Sequence, residues 1–80
     1  MSQLLYVSAT GPADPTRCSL AFHLAANGAA AAGHQAAVVL AGDATELLRP
    51  EAREAVRGVG IPPLAELFES CRARGVRLHV

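Results

Sequence analysis

The sequence contains no tryptophan and no lysine, and its single tyrosine and two phenylalanines bring aromatics to 4% of 80 residues. A core with so few rings must be thin, built by bringing backbones close together over small side chains. There is no excess of charge of either sign: seven arginines balance seven acidic residues. That removes the electrostatic footprint of a nucleic-acid binder. The one local basic group, Arg72, Arg74 and Arg77, reads as a solvated helix end. Neither phosphate-cradling glycine pattern, GxGxxG nor GxxxxGK[ST], occurs. Cys18 and Cys71 form no CxxC pair and suit a reducing cytoplasm better than a disulfide scaffold. His23, His34 and His79 share no metal-ligand spacing with each other or with either cysteine, so no metal and no cofactor is expected. Met1-Ser2-Gln3 carries no positive leader region. The longest apolar stretch, 20–41, is broken by His23, Asn27, His34 and Gln35 and reads as a helix plus a strand, not a membrane span. A cytoplasmic location follows as the expectation, with no membrane or nucleic-acid partner.

What is present is an alternation of strands and helices. Leu4-Leu5-Tyr6-Val7 is a continuous apolar run, the pattern of a strand covered on both faces, and it is expected at the centre of the sheet. After the loop Ser8-Ala9-Thr10-Gly11-Pro12-Ala13, Asp14 can cap a helix that starts with Pro15. That helix is expected to reach about residue 32, with Leu20, Leu24, Gly28 and Ala31 or Ala32 along its packed face and Gly33 as a left-handed exit. Ala36-Ala37-Val38-Val39-Leu40-Ala41 reads as the second strand, which completes a βαβ unit. Asp43 and Glu46 stand in a capping-box relation before Leu47 and Leu48. Pro50 breaks that helix and opens a second short one over 51–57. The Gly- and Pro-rich stretch 58–63 is a loop within the domain.

The last helix is the most periodic segment. Leu64, Leu67, Phe68 and Cys71 fall at i, i+3, i+4 and i+7, while Glu69 and Arg72 can pair across a turn. Gly75 ends it, and Val76-Arg77-Leu78-His79-Val80 returns as a third strand whose alternation implies one less buried face. The whole chain, 1–80, is a single domain. A domain this short buries only about 60–65% of its unfolded surface. Oligomerisation or further sequence would add stability.

Chemistry-bearing residues are few. Cys18 lies in the first turn of the first helix, where the helix dipole and Arg17 favour a thiolate while Asp14 opposes it. It is a weak candidate nucleophile, and a small residue packed beside Phe22 is the simpler reading. Cys71 belongs to the Leu64 stripe and is expected to be buried and inert. The strand-to-helix loop holds Thr10 and Gly11, where doubly wound folds bind ligands. With Pro12 and Pro15 removing donors and Asp14 occupying the positive helix end, it suits a small neutral or thiol-bearing ligand better than a phosphate. Thr10, Gly11, Asp14 and Asp43 are the expected ligand-contacting residues. His34 follows a helix carboxyl end and His23 sits on a helix face; His79, near the end of the third strand, reads first as a solvated strand residue and second as one placed to tune a nearby thiol. Ser8 has no His and acid at a recognisable spacing.

The ordered set of Leu4-Leu5-Tyr6-Val7-Ser8, the Asp14-started Ala-rich helix, Gly33-His34-Gln35-Ala36-Ala37-Val38-Val39-Leu40, and Pro63-Leu64-Ala65-Glu66-Leu67 through Arg74-Gly75-Val76-Arg77-Leu78-His79-Val80 resembles the DsrE-like (DsrE/DsrF/TusD-type) family of sulfur-relay proteins. The likeness covers nearly the whole chain. It implies a three-layer α/β/α domain with a parallel sheet and flavodoxin-like winding, usually a homo-oligomer. Many members carry a persulfide on a Cys just after the strand that corresponds to 76–80, and no residue of this sequence matches that Cys. The resemblance therefore implies an intracellular sulfur carrier, or a relay component working with partner proteins, through a Cys beyond Val80. The alternative is a non-catalytic oligomeric subunit that binds a small molecule or protein around Thr10, Gly11 and Asp43. The expected strand order is two-one-three, with helices on both faces.

Overall fold

The computed structural model describes residues 2–80. Strand β1 (Gln3–Ser8) leads through a short loop into α1 (Pro15–His23), which continues without a break as a π-helical segment, Leu24–Ala30. Strand β2 (Gln35–Leu40), a 3₁₀ helix (Gly42–Leu48), α2 (Pro50–Ala55), α3 (Leu64–Ala73) and β3 (Arg77–His79) follow. The first helix starts where the sequence places it: the Asp14 carboxylate accepts a hydrogen bond from the Arg17 amide at 3.1 Å, and Pro15 occupies the first turn. Gly33 (φ 90°) and Gly75 (φ 75°) turn the chain out of the two long helices, in a region that residues with a Cβ rarely enter.

The three strands form one parallel sheet, as expected of an α/β fold, but in the order β1-β2-β3. The two-one-three order is therefore incorrect. β2, not β1, is the central strand, and among the described residues β1 pairs with β2 alone, leaving its other edge free. The helices follow from that order. Right-handed crossovers that step the same way across a sheet place their helices on one face. α1 and α3 accordingly pack on each other, with the Phe22 and Phe68 rings stacked at 4.6 Å. The described residues thus supply two layers, and the outer helical layer of an α/β/α sandwich is not among them.

Register sorts the strand residues. Tyr6, Val38 and Leu78 form one row toward the helices and Ser8 and Leu40 another, with Val38, Leu40 and Ser8 buried. The opposite rows, Leu5-Ala37-Arg77 and Val7-Val39-His79, face away from every helix. Leu5 is 63% and Val7 65% exposed, so the continuous apolar run of β1 does not mark a strand covered on both sides.

The core lies between the sheet and the helices: Cys18, Phe22, Ala25, Ala26, Val38, Leu40, Leu47, Val56, Leu64, Leu67 and Cys71. The α3 stripe read from the sequence is correct, with Leu64, Leu67 and Cys71 buried and Phe68 packed against them. The face assigned to α1 is not. Leu20 and Leu24 point outward, 40% and 48% exposed, while Cys18, Ser19, Phe22, Ala25, Ala26 and Ala29 face inward. Close approach of helix to sheet selects the small side chains over the leucines. The wider π-helical turns then shift the residues that follow away from a 3.6-residue period.

Two local expectations also change. Asp43 and Glu46 form no capping box: Ala41 precedes a 3₁₀ helix that has no side-chain cap, and the Thr45 hydroxyl donates to the Gly42 carbonyl at 2.8 Å. That helix is held at its far end by Arg53, whose guanidinium donates to the Leu47 and Leu48 carbonyls at 3.2 and 2.8 Å while lying over the Phe68 ring. The loop before α3 is tied into the domain, with the Val59 amide donating to the Thr16 hydroxyl at 3.0 Å. Glu69 and Arg72 pair on the exposed side of α3 as expected.

Candidate functional site

Because all three strands are parallel, their carboxyl ends lie along one edge of the sheet, Ser8 opposite Leu40 and Val39 opposite His79. This is the edge at which open α/β sheets place their ligands. Two loops meet there. The chain leaving β1 passes through Thr10 and buried Gly11, and the chain leaving β2 turns through Gly42 and Asp43. The Ala41 amide donates to the Ser8 carbonyl at 2.9 Å, which holds the two exits side by side.

The contact between these loops is tight. A Cβ built on Gly11 would stand 2.7 Å from the Asp43 carbonyl oxygen and 3.0 Å from the Asp43 Cβ. Of the expected ligand-contacting residues, the fold therefore brings Gly11 and Asp43 into direct contact, leaves Thr10 half-buried beside them, and puts Asp14 at the start of α1. The Asp14 carboxylate is engaged with its own helix through the Arg17 amide and, at 3.6 Å, the Arg17 guanidinium. Its amide donates to the Gly11 carbonyl at 3.2 Å. The described surface has depressions elsewhere: one of 430 Å³ beside Phe68, Cys71 and Leu78, and one of 760 Å³ at the amino end of the sheet. None of these four residues lines either one.

Neither thiol reaches this edge in a reactive form. Cys18 is fully buried under the first turn of α1, its Sγ 3.4 Å from the Pro15 carbonyl. Burial raises its pKa and the Asp14 charge adds to this, against a smaller opposing effect of the Ser19 hydroxyl. The helix N-terminus thus does not prevail at this cysteine. Cys71 is 1% exposed, its Sγ 3.7 Å from the Phe22 carbonyl, and burial pushes its thiol up to about 11. A thiol that stays protonated is a poor nucleophile and a poor sulfur acceptor.

The histidines are dispersed. His23 accepts or donates with Asn27 at 3.1 Å along its own helix, the His34 ring accepts from the Ser2 amide at 3.3 Å, and His79 is exposed on β3. Among the described residues, no three His, Cys, Asp or Glu side chains gather as a metal-binding group. No helix of the described residues is long and apolar enough to cross a membrane. The sequence groups Gly11 and Asp43 with Thr10 as one expected surface, and the fold adds what residue types and spacing do not show, the backbone approach between the two.

A parallel α/β sheet with its loops joined at the carboxyl edge defines the class as a wound α/β domain. The chain belongs to the DsrE/DsrF-like family, whose model matches residues 2–80. No curated protein and no solved structure matches the chain.

Proposed function

We propose that this protein is an intracellular sulfur carrier or sulfurtransferase-relay component of the DsrE-like type, which holds sulfur as a persulfide on a cysteine beyond Val80 and exchanges it with relay partner proteins. The observation that carries this reading is the direction of β3. It runs parallel to β2 and delivers the chain to the edge where the Thr10-Gly11 loop and the Gly42-Asp43 turn already meet. A thiol at that place would follow His79 closely in the chain. In this reading Cys18 and Cys71 are core residues and take no part in transfer, and the assembly is a homo-oligomer.

A second reading is a non-catalytic, homo-oligomeric subunit that binds a small molecule or a protein. The burial of both thiols favours it.

The intact mass of the endogenous protein, taken before and after reduction, separates the two. The 80 residues weigh 8.2 kDa. A larger mass with a reducible increment of about 32 Da, one sulfur atom, supports the carrier. A mass of 8.2 kDa with no increment overturns it and leaves the binding subunit. An increment on an 8.2 kDa chain would move the chemistry to Cys18 or Cys71 and overturn their assignment to the core.

A further inference from the structure

The outer face of the first helix carries an apolar line that the fold leaves unused. Leu20 and Leu24 are exposed one turn apart, and Gly28, also exposed, stands one turn further on in the π-helical segment. In a layered α/β domain this face is the outside of a helical layer and points away from the sheet. Neither further strands nor a helical layer on the sheet's opposite face reaches it. The face also carries little charge: between Asp14 and Asp43 the chain has no acidic residue, and Arg17 is its one arginine.

Nothing inside the molecule requires glycine at position 28. The glycines at positive φ are Gly33, Gly42, Gly60 and Gly75, and a Cβ built on Gly28 would meet no atom within 4 Å. Glycine weakens a helix interior relative to alanine, and here it leaves a notch in the outer surface. Leu20 and Gly28 stand four residues to either side of Leu24, a knob and a hole placed symmetrically about one residue. A twofold axis through Leu24, with two helices antiparallel, seats Leu20 of each chain at Gly28 of the other. The same operation carries Arg17, about 10 Å from the axis, to the carboxyl end of the other helix near Ala31. Its positive charge meets the negative end of that helix dipole.

We propose that this face joins two copies of the chain, as an antiparallel pair of first helices crossing at Leu24. A foreign helix would need only apolar surface, whereas equal spacing of knob and hole about Leu24 is what a twofold contact demands of a single chain. Nine α-helical and seven π-helical residues make the face at most about 24 Å long and about 10 Å wide. One such pair buries well under the roughly 800 Å² per partner of a standard interface, so the association is weak and depends on concentration. The inference rests on the homo-oligomer of the proposed function and gives it a surface, and because no thiol takes part it is independent of sulfur transfer.

Sedimentation equilibrium of the full-length protein across a range of concentrations tests the contact. Leu24→Glu sets two carboxylates against each other on the axis and should raise the dissociation constant at least about a hundredfold. Gly28→Leu fills the notch and should raise it at least about tenfold, while the monomer, with open space at that position, keeps its thermal midpoint or gains. Leu24→Cys should cross-link position 24 to position 24 under mild oxidation, identified by peptide mass spectrometry, and Glu66→Cys on the exposed side of α3 should not. The cross-link gives its reading even if Leu24→Glu fails to fold. A wild-type protein that stays monomeric at every concentration overturns the proposal together with the homo-oligomer. An oligomer that survives both Leu24→Glu and Gly28→Leu, or that forms no link through position 24, overturns this surface and leaves the homo-oligomer to another. The sulfur increment, measured on the same samples, is read separately from either result.

Discussion

The environment of Cys71 allows a quantitative prediction for native and unfolded protein. Its thiol is moved by burial from 9.0 to about 11. Two pH units mean about a hundredfold less thiolate near neutral pH than in the unfolded chain. Reagent must also enter a site that is 1% exposed, which requires the core to open. Iodoacetamide labelling of Cys71, resolved by peptide mass spectrometry, should therefore be at least about a hundredfold slower in native protein than in denaturant. The same shift links to stability. The unfolded thiol ionises above 9.0 while the folded one stays protonated to about 11, so the unfolded state binds fewer protons in between. Stability is then fully present below pH 9 and falls as pH rises toward 11, by about 3 kcal/mol in total. Denaturant melts at pH 8 and pH 10.5 measure this, with Cys71→Ala expected to reduce the difference and the raised Cys18 thiol to account for part of what remains. Native labelling within about threefold of the unfolded rate would refute the placement of Cys71 and reopen it as a sulfur site.

Two further substitutions test the packing and the loop contact. Phe22 is fully buried and stacked on Phe68, so Phe22→Ala should cost about 3–5 kcal/mol. That is comparable with the entire stability expected of a domain this size, about 4–12 kcal/mol, so the variant should lose most of its cooperative thermal transition; a midpoint within about 3 °C of wild type would contradict this. Gly11→Ala drives a Cβ into the Asp43 backbone and should destabilise by about 1–3 kcal/mol, read from the denaturant midpoint, whereas an unchanged midpoint would mean the two loops are not in contact.

The readable parts of this fold are those determined within a few residues. Asp14-Pro15 starts a helix, Gly33 and Gly75 end helices, and the Leu64–Cys71 stripe faces the core, because capping, φ and periodicity act locally. Strand order is a long-range property, and nothing in the wording of β1 distinguishes a buried central strand from an edge strand with one face open. Once β1 is placed at the edge, the exposure of Leu5 and Val7 and the one-sided helical layer follow together. The outward turn of Leu20 and Leu24 has another origin: hydrophobicity ranks Leu above Ala and Cys, but the helix turns inward the face that carries Phe22 against α3 and the small Cys18, Ala25 and Ala26, and the two leucines fall on the other face. For the candidate site, the sequence grouped Gly11 and Asp43 on one surface with Thr10, and the fold brings their backbones into contact.

The two margins of the sheet differ in how they receive another strand. β1 presents six uncharged residues without proline along its free edge, whereas β3 presents three, of which Arg77 and His79 are polar. Charge and shortness are the devices by which natural sheets discourage added strands, and only one margin has them. Among the described residues, main-chain pairing with a further strand is therefore favoured along β1 and disfavoured along β3, so a sheet that grew by that route would grow from one margin alone.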